Sequence, residues 1–392
     1  MILRSTILSL TLAGASLWAQ PGRGPAPVRS PEVSTDGKVT FRLRAPNAKE
    51  VAVTGIGERL AMVKDDQGVW SATTAPLQPD LYTYQFSVDG VTFNDPGNPL
   101  FKTSYASAGQ SMVRVPGAAP WNPGAGPFGA VTHYTYHSGA VGDDRDYYVY
   151  TPPNYDSHRK DPYPVLFLLH GLGDDASAWE TVGAANVILD NLIDQGKAKP
   201  MIMVNTLGYG TPDGPRGAMG ANMIPTFAKS LIDEVLPQVE KNYHAAKDRE
   251  HHAIAGLSMG GAESLYVGLN NPDRFAYIGS FSGAFVMWPR ANPAPPPPAG
   301  EAGGRGGRGP RPMEDADFAK AFPNLDAKTT NSKLRLLWIA CGADDGLLAV
   351  NKQFETWLKS KDVKFTAQEI PGYAHVWPLW RRNLAELAAL LF

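Results

Sequence analysis

The chain has 392 residues and 43% apolar content, enough for one large domain or two, each with a real core. Its formal net charge of −2 excludes a global basic field for nucleic acid and a polybasic membrane face, so small or neutral substrates fit better. With a single cysteine, Cys341, no intramolecular disulfide can form.

Met1-Ile2-Leu3-Arg4, an apolar run through Leu12 and small residues to Ala19-Gln20 have the three regions of a secretory signal peptide, residues 1–19. A secreted or periplasmic mature protein is expected. The apolar run is shorter than the roughly 20 residues a span needs, so an N-terminal anchor is the weaker reading and no integral membrane span is expected. A Pro/Gly/Arg-rich spacer covers 20–30.

Residues 31–116 alternate apolar and polar positions in short runs: Val39–Arg44, Val51–Val53 and Leu81–Val88, the last closed by the hairpin pair Asp89-Gly90 before Val91–Phe93. This pattern predicts a small all-β immunoglobulin-like sandwich. Trp70, Tyr82 and Tyr84 are either core rings or a flat platform for sugar rings. Residues 117–130 form a Gly/Pro/Ala-rich linker in which Trp121 and Phe128 are placed to dock on either neighbour.

From 131 to 392 the pattern changes. Two strands near Val131–His137 and Arg145–Tyr150 precede strands at Pro164–Leu169, Pro200–Asn205, His252–Ala255, Tyr277–Ser280, Leu334–Ala340 and Lys364–Glu369. Helical stretches intervene near Ser177–Gln195, Asn222–Tyr243, Gly260–Asn270, Ala349–Lys361 and Trp377–Leu391. Such alternation predicts a doubly wound α/β domain with a mostly parallel sheet and its function at the carboxyl ends of the strands. Residues 290–312, with four consecutive prolines and repeated Gly-Gly-Arg, cannot build a core and read as a disordered insertion at the rim of that site.

The stretch Gly256-Leu257-Ser258-Met259-Gly260 reads as a nucleophile elbow, in which a strand turns sharply into a helix and exposes a strained serine. A serine hydroxyl needs a histidine to take its proton and a carboxylate to orient that histidine, in the chain order Ser, acid, His in an α/β-hydrolase. After Ser258, one strand ends at Cys341-Gly342-Ala343-Asp344-Asp345, with both acids available. The following strand ends at Gly372-Tyr373-Ala374-His375, and His375 is the only histidine beyond those acids. Cys341 itself ends an apolar run and is expected in the core. Oxyanion donors are expected from the N–H groups of Met259 and of Leu172, the latter in the glycine-rich turn of His170-Gly171-Leu172-Gly173. His170 is expected to brace that turn rather than act as base.

Together, His170–Asp175, Gly256–Gly261, Cys341–Asp345 and His375-Val376-Trp377-Pro378-Leu379-Trp380 resemble the esterase D and feruloyl esterase group of α/β-hydrolases, carbohydrate esterase family 1 in particular. Ala45-Pro46, Gly68-Val69-Trp70, Val88-Asp89-Gly90 and Asp95-Pro96-Gly97 resemble the early-set sandwiches grouped with glycogen-binding modules. The first resemblance implies that Asp345, three residues after Gly342, is the acid, with Asp344 second. It also implies feruloyl or acetyl esters on plant polysaccharides as substrates, and a sandwich that serves as a packing partner or a wall of the active site. The second resemblance leaves carbohydrate contact through the sandwich open, and the Ser-His-Asp mechanism requires no metal or organic cofactor. Trp377, Trp179 and Ser282 are expected at the substrate, although Trp377 and Trp380 are equally readable as core residues of a helix. A catecholate-siderophore esterase, an acyltransferase of the same fold and a non-catalytic carbohydrate-binding protein are the rival readings.

Overall fold

The computed structural model of the chain describes residues 27–212, 214, 222–292 and 312–392. The expected signal peptide, most of the spacer and nearly all of the 290–312 insertion lie outside these residues.

Residues 27–115 form two facing antiparallel sheets. One is ordered β1 (Glu32–Val33), β2 (Val39–Arg44), β6 (Val69–Thr73), β5 (Val63–Lys64). The other runs β4 (Leu60–Ala61), β3 (Val51–Thr54), β7 (Asp80–Val88), β10 (Gln110–Val115), β9 (Phe101–Lys102), with β8 (Val91–Phe93) paired to β7. Alternation decides which side chains enter the core: Val39, Phe41 and Leu43 of β2 point inward against Val53, Tyr84, Phe86 and Val113 of the second sheet. The β7–β8 turn holds Asp89 at φ 48° and Gly90 at φ 87°, the left-handed pair that a two-residue hairpin needs.

Two of the three candidate platform rings are core residues. Tyr84 is fully buried with its hydroxyl donating to Asp95, and the Trp70 indole donates to the Ala45 carbonyl. Only Tyr82 has an accessible face, and that face looks across to the second half of the chain.

The second half is one eight-stranded sheet ordered β11 (Ala130–Ser138), β12 (Asp143–Thr151), β14 (Ile202–Thr206), β13 (Val165–Leu169), β15 (His252–Leu257), β16 (Tyr277–Phe281), β17 (Leu336–Gly342), β18 (Thr366–Ile370). The first two pairings are antiparallel and the remaining five parallel. Every residue of β13 and β15 is buried, as befits strands covered on both faces. One face carries α1 (Ala185–Asp194) and the C-terminal helix; the other carries the helices between 223 and 270 and between 315 and 360. This is an α/β-hydrolase fold. No helix among the described residues is long and apolar enough to cross a membrane.

The helix expected from Ser177 begins only at Ala185. Residues 177–184 are held as turns because the Trp179 indole donates to the Leu169 carbonyl, the Gly183 N–H donates to Ala178, and Ala184 adopts a left-handed φ of 48°. The stretch expected at 222–243 is continuous but changes winding, from α2 (Met223–Ser230) through a π-helical turn at Leu231–Val235 to α3 (Leu236–Asn242). Two short helices, α5 (Asp315–Ala321) and α6 (Ala327–Lys333), had no clear sequence signal.

Candidate active site

The strand β15 ends at Leu257 and α4 (Met259–Asn270) begins one residue later, so Ser258 makes the whole turn at φ 52°, ψ −113°. A serine in this region costs on the order of 1–3 kcal/mol and persists only where its surroundings enforce it. They do so here. Its N–H donates to the Phe281 carbonyl at 2.8 Å, and its own carbonyl accepts from Ala262 at 3.1 Å and Ala284 at 2.8 Å. The flanking glycines are demanded by close approach: a Cβ on Gly256 would lie 2.6 Å from the Gly260 backbone, and one on Gly260 would lie 2.5 Å from the carbonyls of Leu169 and His170.

His375 sits in the connection from β18 to α8 (Trp377–Ala388). Its Nδ1 is 2.8 Å from Asp345 Oδ2 and its Nε2 is 3.0 Å from Ser258 Oγ. Since a carboxylate only accepts, the network assigns the ring proton to Nδ1 and leaves the Nε2 lone pair facing the serine hydroxyl. The Asp345 side chain is fully buried. Burial alone would raise its pKa, but hydrogen bonds from His375, the Leu347 N–H and the Ser282 hydroxyl outweigh that and hold the carboxyl below its ordinary range. Asp344 is exposed, with its N–H donating to the Tyr373 carbonyl at 3.0 Å.

The Gly171–Asp174 segment is a tight turn closed by the Asp174 N–H on the Gly171 carbonyl at 3.1 Å, with Gly173 at φ 88°. That positive φ at the third position is the reason for glycine. The Gly173 N–H donates to the Tyr209 hydroxyl at 2.7 Å. Closing such a turn uses the fourth N–H, leaving that of Leu172, the second residue, outside the turn's own bond. A Cβ on Gly171 would lie 3.4 Å from Ser258 Cβ, so this backbone passes directly over the serine. Met259, the first residue of α4, supplies the neighbouring N–H at the positive end of the helix. His170 is buried, accepts the Gly208 N–H on Nε2 at 2.9 Å and donates from Nδ1 to Gly171 at 2.8 Å. Burial lowers its pKa, which keeps it a neutral bracket.

Ser258 and His375 open onto a cleft of about 460 Å³. Gly171, Leu172, Val376, Trp377 and Trp380 line one part of it, and Gly55, Leu81, Tyr82 and Thr83 of the sandwich line another. Trp377 is therefore at the cleft. Trp179 and Ser282, expected at the substrate, are not: both are fully buried behind the lining. Trp179 is committed to Leu169 and packs edge-on against Trp377 at 5.1 Å, while Ser282 accepts the Trp380 indole N–H at 3.3 Å and supports Asp345. Trp380 in turn stands edge-on to His375 at 4.8 Å. Cys341 is buried, and burial together with the Asp345 charge pushes its thiol up to about 12. The sandwich residues of the lining carried no local signal, because only the packing of one half on the other brings them to Ser258.

Family comparison completes this geometry. The esterase family model matches residues 138–391, which takes in the sheet that carries Ser258, Asp345 and His375 except for β11, of which only Ser138 is included. The chain belongs to the esterase family. In front of this esterase region, residues 28–104 match carbohydrate-binding module 48, the isoamylase N-terminal domain. An endo-1,4-beta-xylanase/feruloyl esterase from Xylanibacter ruminicola is 32% identical over 389 residues, 95% of this chain and 46% of that protein. The chain thus spans less than half the length of the curated relatives it matches, and only 13% of endo-1,4-beta-xylanase Y from Acetivibrio thermocellus. Among solved structures, the CE1 ferulic acid esterase of Anaeromyces mucronatus superposes with a TM-score of 0.54 at 23% identity, covering 68% of this chain and 92% of its own. The enterobactin esterase of Shigella flexneri reaches 0.61 at 18% identity, covering 90% of this chain and 92% of its own. At these identities the structural likeness speaks to fold alone.

Proposed function

We propose that the chain is an exported serine carboxylesterase that removes feruloyl or acetyl groups from plant polysaccharides. The observation that carries this reading is the unbroken chain of hydrogen bonds from Asp345 through His375 to Ser258, at the floor of a cleft walled by Trp377, Trp380 and Tyr82. His375 Nε2 takes the proton as Ser258 Oγ bonds to the ester carbonyl carbon, and Asp345 stabilises the imidazolium. The N–H groups of Leu172 and Met259 receive the oxyanion, a contribution worth a factor of roughly 100 to 1,000 per donor. The intermediate collapses with cleavage of the carbon–oxygen bond to the alcohol, which leaves with the proton from Nε2. Water, deprotonated by the same nitrogen, then releases the acid and restores Ser258.

The relative from X. ruminicola, which aligns with 95% of this chain, supports the choice of substrate class. A catecholate-siderophore substrate, as in the enterobactin esterase, is anionic and calls for cations at the site. No Lys or Arg is among the described residues of the cleft lining. The same reading takes 31–116 as the sandwich domain, 117–130 as linker and 131–392 as the catalytic domain, with glycan contact made by Tyr82 at the cleft. It also takes 1–19 as a leader.

The test is turnover of p-nitrophenyl acetate, methyl ferulate and acetylated xylan by the wild type and by Ser258→Ala. The wild type should hydrolyse at least one, and the variant should lose roughly 10⁴-fold or more in kcat. Activity that survives in the variant removes Ser258 from the mechanism, and an inactive wild type favours a binding protein.

A further inference from the structure

The turn that carries Leu172 is held from both sides. From the esterase region, Tyr209 accepts the Gly173 N–H and donates to the Asp174 carbonyl at 2.9 Å. From the sandwich, the Gly173 carbonyl accepts three donors: Ser104 Oγ at 2.7 Å, Tyr105 N–H at 3.0 Å and Ala106 N–H at 3.4 Å. Lys102 forms an ion pair with Asp174 in which both side chains are nearly nine-tenths buried, and Thr103 Oγ1 lies 2.9 Å from Ser177 Oγ just beyond the turn. Within residues 102–106 of the sandwich, four (Lys102, Ser104, Tyr105 and Ala106) thus grip the four-residue turn at Gly171–Asp174, and Thr103 holds Ser177 just beyond it.

We infer that residues 102–106 are a positioning element of the active site: by fixing Gly173 and Asp174 they aim the Leu172 N–H at the oxyanion formed on Ser258. This deepens the esterase reading and rests on it. The sandwich is then a working part of the catalytic centre, because the esterase region alone supplies only His170 at the first residue of the turn and Tyr209 on one side of Gly173 and Asp174. A turn held on one side swings about that attachment, and a donor displaced by 1 Å from an oxyanion loses most of its effect. Lys102 contributes most in this arrangement, since its ammonium balances a carboxylate that would otherwise be buried without a partner.

The experiment is a double-mutant cycle in the full chain. Proline fits the second position of this turn, so Leu172→Pro deletes the N–H donor without opening the turn, and Leu172→Ala controls for the side chain lost from the cleft lining. With p-nitrophenyl acetate, Lys102→Ala should lower kcat about tenfold with KM within about twofold, and Lys102→Arg should restore most of it. Ser104→Ala, which leaves the ion pair intact, should lower kcat severalfold and covers the case in which Lys102→Ala unfolds. Leu172→Pro alone should lose roughly 100-fold, and adding Lys102→Ala or Ser104→Ala to it should cost no more than about twofold further. Full multiplication of the losses, or wild-type kcat in folded Lys102→Ala and Ser104→Ala while Leu172→Pro is impaired, overturns the positioning role alone. Wild-type activity in Leu172→Pro overturns the oxyanion assignment and the positioning role with it, whereas activity in Ser258→Ala strikes at the esterase reading itself.

Discussion

Arg381, on the helix that follows His375, reaches out of the esterase region and pairs with Asp80 at the start of β7, with Nη2 2.5 Å from Oδ1. The same guanidinium donates to the Val182 carbonyl at 2.7 Å and lies over the Trp121 ring of the connecting segment. Its side chain is completely buried and that of Asp80 nearly so, which leaves little water to solvate the pair. The helix beside the candidate base is therefore bolted to the sandwich.

Removing one partner of a buried pair strands the other, at a cost of about 3–5 kcal/mol. Arg381→Met should lower the urea midpoint accordingly, and Asp80→Asn, which keeps a hydrogen-bond acceptor, should cost less. Equal and negligible losses in both would mean that the interface is held by its apolar contacts alone.

Asp345 and Asp344 separate cleanly by environment, one buried on His375 and the other exposed. Asp345→Asn should reduce kcat by about 10⁴, because an amide in place of the carboxylate favours the wrong imidazole tautomer. Asp344→Asn should stay within about twofold. Steady-state kinetics with p-nitrophenyl acetate reads both, and a reversed order reassigns the acid.

Tyr82 faces Ser258 across the cleft from a different half of the chain. Tyr82→Ala should raise KM for methyl ferulate severalfold and leave p-nitrophenyl acetate nearly unchanged, since losing one ring contact of about 1 kcal/mol matters only to the larger substrate. Equal effects on the two substrates would make Tyr82 an interface residue with no part in selection.

Glu263 on α4 is fully buried, and neither carboxyl oxygen has a hydrogen-bond partner among the described residues. Burial raises its pKa well above the ordinary carboxylate value, against the pull of Arg145. The folded chain therefore keeps a proton that the unfolded chain releases once the pH passes about 4.5, and stability falls as the pH rises from there to the raised value. Glu263→Gln removes this titration. Its advantage over the wild type should grow by about 1.4 kcal/mol per pH unit across that window, seen as a widening gap in Tm. A gap that stays constant between pH 4.5 and 8 would show that Glu263 does not titrate there.

The parts of the site legible in the sequence are those that a few neighbouring residues specify. Gly256 and Gly260 are required by contacts with the adjacent strand and helix, and Gly173 by its own φ, so all three mark their turns locally. The strand-end positions of Asp345 and His375 follow from hydrophobic runs of the right length. The helix at 177 failed as a prediction because the Trp179 bond to Leu169, the Gly183 bond to Ala178 and the left-handed Ala184 outweighed the helical propensity of eight residues. Trp179 and Ser282 were misplaced for a related reason: a sequence shows that a residue lies near a strand end, but not whether it stands in front of the cleft wall or behind it.

By itself, the sequence determined the order of the sheet strands and the longer helices of the second half, the strained serine, its two partners and the presence of an N-terminal sandwich, since each follows from periodicity, turn chemistry or a short motif. Only the tertiary structure decided what the sandwich does. Tyr82 at the cleft, Lys102 on Asp174 and Asp80 on Arg381 are pairings between residues far apart in the chain, and no local pattern encodes which face of a small sheet another domain will cover.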